Sequence, residues 1–196
     1  MIVLDVETTG TDPLKHSLVS IGAVDFDKPE RQFYEECRIF EGAHVMEEAL
    51  VVNGMTHEQI TDSQKKSDKE IIEDFLKWVE ESDNHTFGGL NHHLDLYFIH
   101  MAALRNHIDF AWPKRIVDLH SVSYAHMAQR GLQIPLKNKH TDISGDTTMK
   151  YVGIPTEPRP HIGLNGAKWE AEALSRLIYN KNLLPEFSKY PIPWLV

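Results

Sequence analysis

The chain opens on an apolar run, Ile2-Val3-Leu4, which passes through Asp5-Val6-Glu7 and breaks at Thr8-Thr9-Gly10. The run is short and β-branched and the break is a turn signal, so a strand is predicted almost from the first residue. Residues 17–26 (SLVSIGAVDF) predict a second strand. Residues 33–40 (FYEECRIF) predict a third, after the turn-like Asp27-Lys28-Pro29-Glu30. Connections this short favour an antiparallel meander. The period then changes. Ile71, Ile72, Phe75, Leu76 and Val79 predict a helix over 68–81. Leu94, Leu96, Phe98, Ile99, Met101 and Leu104 predict another over 94–104. Residues 86–90 (TFGGL) and 115–119 (RIVDL) read as short strands, and 121–130 and 169–179 as helices. The stretch 133–160 reads as loop around one helix near 147–152. Strands first, then helix alternating with strand, predict an α/β domain with a mixed sheet. Residues 1–180 are assigned to it. Residues 181–196, rich in proline and aromatics, are expected to form a C-terminal tail packed on the domain.

Charge narrows the function. The 196 residues carry 29 acidic and 20 basic side chains, a formal net charge of −9. That argues against a protein held on nucleic acid by a broad basic face. It leaves room for one that reaches phosphate through bound metal ions. The single cysteine, Cys37, cannot form an internal disulfide. No run approaches 18 apolar residues, and the start lacks a basic, signal-like segment, so a cytoplasmic protein is the simplest reading.

Three stretches carry candidate chemistry. On a strand, residues two apart share a face, so Asp5 and Glu7 stand side by side. Two adjacent carboxylates repel, and a divalent cation removes that cost. Hard oxygen ligands suit Mg²⁺ or Mn²⁺. A turn-capping acid is the other reading of the same residues. The second stretch, Gly88-Gly89-Leu90-Asn91-His92-His93-Leu94-Asp95, leads from a strand through glycines into a helix. Asp95 falls in the first helical turn, where the helix dipole also favours an acid. His92 and His93 read as solvated loop residues. The third stretch is Pro158-Arg159-Pro160-His161, ahead of a helix from about residue 165. A histidine on such a loop can take a proton near neutral pH.

In this order the three stretches resemble the DEDDh 3′–5′ exonucleases, the DnaQ-like branch of the ribonuclease H-like superfamily. The resemblance runs to about residue 179. Leu18-Val19-Ser20-Ile21-Gly22-Ala23-Val24, Val52-Asn53-Gly54-Met55-Thr56 and Tyr151-Val152-Gly153-Ile154-Pro155 are further local echoes. The resemblance implies a ribonuclease H-like α/β fold, with a five-stranded mixed sheet flanked by helices and the site at the C-terminal end of the first strand. It also implies a two-metal phosphodiester hydrolase using Mg²⁺ or Mn²⁺. Asp5 would bridge both ions, Glu7 would hold the ion that activates water, and Asp95 would serve the second. His161 would act as general base. Thr8 and Asn91 would contact the terminal nucleotide, and Met55 would offer an apolar surface to the last base. The implied partners are single-stranded DNA or RNA 3′ ends, with a polymerase or another protein alongside and no membrane.

One position departs from the family. The fourth acid should lie five residues after the histidine, where this chain has Gly166. Three readings follow. The site works with three carboxylates and one weakly held ion. Alternatively Glu170, four residues on and on the same helix face, substitutes; it also reads as a surface acid of an amphipathic helix. In the third, chemistry is lost and the fold binds nucleic acid or scaffolds a partner. Asp5, Glu7, Asp95, His161 and Phe98 all match the pattern, which favours retained activity. Leu94 replaces the aromatic usual before the second aspartate, a change in packing. An internally cutting ribonuclease H is a further enzyme reading, which product lengths would separate.

Overall fold

The computed structural model describes residues 1–196. Three antiparallel strands come first: β1 (Ile2–Thr8), β2 (Leu18–Asp25) and β3 (Gln32–Glu36). Two short strands, β4 (Phe87–Gly89) and β5 (Ile116–Asp118), extend the sheet parallel to β1. The order is β3-β2-β1-β4-β5, a five-stranded mixed sheet. β1 is its centre, hydrogen-bonded on both edges.

Alternation along β1 divides the core. Ile2 and Leu4 pack with Ile72, Phe75, Phe98 and Ile99 on one face, under α3 (Asp68–Glu80) and α4 (His93–Arg105). Val3 points the other way, into a cluster with Ala167, Ala171 and Leu174 of α7 (Gly163–Tyr179). α5 (Leu119–Gln129) and α6 (Gly145–Val152) pack on that same side. Glycines let α7 press close to the strands. A Cβ at Gly22 would overlap the backbone of Gly163, and one at Gly163 would stand 2.8 Å from the Asp5 carbonyl oxygen.

Several boundaries differ from the sequence reading. The third strand ends at Glu36 rather than at residue 40, because the chain leaves the sheet there: Arg38 donates its N–H to Lys66 O and Ile39 to Ile60 O. Two short helices, α1 (Glu47–Asn53) and α2 (His57–Thr61), occupy a stretch with no assigned element. α7 begins at Gly163, before the expected 165. A two-stranded hairpin, β6 (Leu136–Lys137) and β7 (His140–Thr141), turns through Asn138 and Lys139, both at positive φ.

Residues beyond α7 pack back on it. Leu184 and Phe187 join the α7 core. The fully buried Arg176 donates Nε to Glu172 Oε1 at 2.7 Å and its remaining N–H groups to Asn182 Oδ1 and the carbonyls of Val152, Phe187, Tyr190 and Pro191. Glu172 Oε2 accepts the N–H groups of Leu183 and Leu184. No helix is long and apolar enough to cross a membrane.

Candidate active site

Because Val3 faces α7, Asp5 and Glu7 face it too, at the end of β1 where apolar packing stops. There they border a cavity of about 360 Å³. Its lining holds six carboxylates, from Asp5, Glu7, Asp95, Asp146, Glu157 and Glu170, together with His161 and no lysine or arginine. Leu90, Leu94, Met149 and Trp169 supply apolar wall.

Each group is held by its element. Asp95 sits in the first turn of α4, and its Oδ1 accepts the Val6 N–H at 3.2 Å, which ties α4 to β1. His161 precedes α7 and donates its backbone N–H to Val52 O at 3.0 Å. Its Nδ1 stands 3.6 Å from Glu157 Oε2, while Glu157 Oε1 accepts the Ile162 N–H at 3.3 Å. Glu170 reaches back from the second turn of α7 and accepts the Leu90 N–H at 3.1 Å. Asp5 and Glu7 accept no hydrogen bond from the protein.

The electrostatics follow from this crowding. Burial, then the charges of Glu170, Asp95, Glu7 and Glu157, hold the Asp5 carboxyl well above the usual carboxylate range. Burial and the Glu157 charge push Glu7 up to about 8. Burial lifts Asp95 to about 7. Glu157 and Glu170 are raised for the same first reason, with the His161 side chain opposing the rise at Glu157. Such a set is costly to ionise together unless cations join it.

Of the candidates read from the sequence, Asp5, Glu7, Asn91, Asp95 and His161 border this one cavity. Asn91 lies at its rim in a left-handed conformation and donates its N–H to Asp118 Oδ2 at 2.9 Å. Thr8 and Met55 stand apart from it, in two adjoining hollows that share Glu7 with it. Thr8 Oγ1 donates to Gly10 O, and Met55 packs against Val19, Leu50 and Ile60. His92 is a correction. It is buried rather than solvated, its ring stacks on Phe87 and neither ring nitrogen has a hydrogen-bond partner. Burial pushes it down to about 4. His93 is exposed, as expected.

The family model described as Exonuclease (RNase_T) matches residues 2–161. The chain belongs to this exonuclease family, the DEDDh, DnaQ-like group. The match ends at His161, before position 166. Solved structures of family members share the fold. Exonuclease I aligns at a TM-score of 0.73 and 18% identity over 92% of this chain and 40% of that one. E. coli exonuclease I in complex with a 5cy-dA13 oligonucleotide gives 0.71 and 16% over 92% and 40%. The nuclease domain of 3′hExo, a DEDDh family member bound to rAMP, gives 0.70 and 14% over 93% of both chains. The chain thus spans about 40% of the exonuclease I chains. A comparison with curated protein sequences gives no match.

Of the cavity's other acids, Glu157 was hidden in the sequence and Glu170 was ambiguous. Glu157 sits in a proline-flanked loop with no periodicity to place it. Glu170 read equally well as a surface acid, but it is nine-tenths buried and borders the cavity. Its reach fits the substitute reading: helical side chains lean toward the N-terminus, here toward position 166. The donor set fits a hard divalent cation, because it is all carboxylate oxygen and its unpartnered members repel one another. No three of these side chains converge closely enough to ligate one ion as they stand, so binding requires them to draw together.

Proposed function

We propose that this chain is a metal-dependent 3′–5′ exonuclease that hydrolyses phosphodiester bonds at the 3′ end of single-stranded DNA or RNA and releases nucleoside monophosphates. One observation carries the reading. Asp5 and Glu7, Asp95, and His161 come from three separate stretches of chain and line one cavity at the C-terminal end of β1. The same fold holds an oligonucleotide in E. coli exonuclease I and rAMP in 3′hExo.

Asp5, Glu7 and Asp95 would hold two Mg²⁺ or Mn²⁺ ions. Bound there, such ions lower the pKa of a water and offset charge on the attacking and leaving oxygens. The chain's own residues do the rest. His161, faced by Glu157 and fixed through Val52, receives the proton of the attacking water at a ring nitrogen. Leu94 and Trp169 present apolar wall to sugar or base and keep bulk water from the reacting phosphate. Thr8 and Asn91 contact the terminal nucleotide, and Met55 backs its base. A cavity of about 360 Å³ suits a terminal nucleotide better than a duplex interior. Because no lysine or arginine lines it, phosphate binds only when cations offset the carboxylates.

Gly166 favours one other reading, a catalytically weak domain of the same fold that binds nucleic acid or scaffolds a partner. A gel assay decides between them. It uses 5′-labelled single-stranded DNA and RNA with Mn²⁺, Mg²⁺ or EDTA, beside Asp5→Asn. A ladder shortening from the 3′ end, lost in EDTA and in the variant, supports the exonuclease. Intact substrate with every metal, in a folded sample, supports the binding domain.

A further inference from the structure

Gly166 removes a carboxylate, yet the helix that carries it delivers another to the same cavity. Glu170 lies four residues on, on the same face of α7. Its side chain is nine-tenths buried and lines the cavity. Oε2 accepts the Leu90 N–H at 3.1 Å, and Oε1 has no protein partner. Two glycines make the space. At 166 a Cβ would overlap the Asp5 carboxylate, so the missing side chain leaves Asp5 where it is. At 89 a Cβ would stand 3.1 Å from Glu170 Oε2.

A second observation points to a cation in the cavity. Glu7 is nine-tenths buried and has no partner, a costly arrangement for a carboxylate with nothing to neutralise it. The other additional acids are less suited to the vacancy. Glu157 faces His161 across 3.6 Å, and it comes from the loop before α7 rather than from the helix face of position 166. Asp146 comes from α6, a different element from the helix that carries position 166.

We infer that Glu170 is the fourth carboxylate of the metal site, supplying from the second turn of α7 what position 166 lacks. The inference rests on the exonuclease reading above. With Glu170, four carboxylates balance two divalent ions in formal charge. Leu90 begins the turn into α4, so its N–H aims the Glu170 carboxylate from the side of the cavity that carries Asp95.

The competing role is structural: Glu170 ties the end of β4 to α7 through Leu90. Glu170→Gln separates the two, because the amide oxygen still accepts the Leu90 N–H in nearly the same volume while the charge is gone. The experiment is a calorimetric Mn²⁺ titration of the full chain, with melting curves of the metal-free proteins. It compares wild type, Glu170→Gln, Glu170→Asp and Asp5→Asn. The expected result is a loss of about tenfold or more in Mn²⁺ affinity for Glu170→Gln, with cooperative melting at or above the wild-type temperature. Glu170→Asp, which withdraws the charge by one methylene, should fall between. Wild-type Mn²⁺ binding by both Glu170 variants, with Asp5→Asn impaired, would overturn this inference and leave the exonuclease reading standing. No Mn²⁺ uptake by the wild type would overturn both.

Discussion

The Asp5 carboxylate occupies the space above Gly166: a Cβ built at 166 would overlap Oδ2 and stand 2.7 Å from Cγ. Absence of a side chain at 166 therefore positions the central acid of the site as well as removing a ligand. Gly166→Ala sets two effects against each other. Helix propensity gains about 1 kcal/mol, while crowding against Asp5 costs about 1–3 kcal/mol. Stability should stay within about 2 kcal/mol of wild type. Activity should fall by about tenfold or more, since a shift near 1 Å at a reacting centre is enough. Melting curves beside initial rates check this, and an equally active Gly166→Ala would show that the Asp5 position is immaterial.

Glu157 faces His161 across 3.6 Å and is anchored by the Ile162 N–H. A carboxylate in that place orients the imidazole and stabilises it once protonated. Glu157→Gln keeps the anchoring acceptor and removes the charge. The account predicts a fall of about 10–100-fold in kcat with KM nearly unchanged. A change confined to KM would make Glu157 a substrate contact instead.

Metal-free stability should decline as pH rises. Glu7 is held up to about 8, Asp95 to about 7, and Asp5 and Glu170 well above their usual values. Unfolded carboxylates have pKa values of about 4, so the folded state binds more protons between there and pH 8. Stability then falls through that window, by up to about 1.4 kcal/mol per pH unit for each proton. His92, pushed down to about 4, acts oppositely, but only below its unfolded value of about 6.5. From pH 6.5 to 8 the carboxylates act alone. Melting temperatures in EDTA should drop across this interval, and saturating Mn²⁺ should restore them most at the alkaline end. A flat or rising profile in EDTA would contradict the electrostatic picture.

Arg176 and Glu172 are both fully buried and bind the segment after α7 through the Phe187 and Tyr190 carbonyls and the Leu183 and Leu184 N–H groups. Arg176→Met leaves Glu172 without its counter-charge and should cost about 3–5 kcal/mol. In a chain of this size that lowers the melting temperature by roughly 10 °C. Mn²⁺ affinity measured well below the transition should be unchanged. A small shift in melting temperature would mean that the tail contributes little to the fold.

Legibility in the sequence followed the range of the forces involved. Asp5 and Glu7 were readable because strand alternation is local, and Asp95 because a glycine break into a helix is local too. The antiparallel meander of the first three strands also followed from short connections, and the mixed sheet from the change of period. Glu157 was not readable, since only the return of its loop over β1 brings it to the cavity of Asp5 and Glu7. Glu170 was ambiguous because its burial depends on α7 lying close on the sheet, which Gly22 and Gly163 permit from distant positions. His92 was misread because the turn from β4 into α4 folds its ring back onto Phe87, which a loop reading does not foresee. The end of the third strand was misplaced because Arg38 and Ile39 find backbone partners in residues 60–66 rather than in the sheet.

The central claim is that this cavity removes single nucleotides from a 3′ end despite Gly166. Mass spectrometry of the products over time tests it most directly, with single-stranded DNA and RNA carrying either a free or a blocked 3′ end, in Mn²⁺. The account predicts nucleoside monophosphates from the first time point, none from the blocked strands, and none in EDTA. Internal fragments from the blocked strands, or no product from either under conditions where Mn²⁺ is bound, would contradict it.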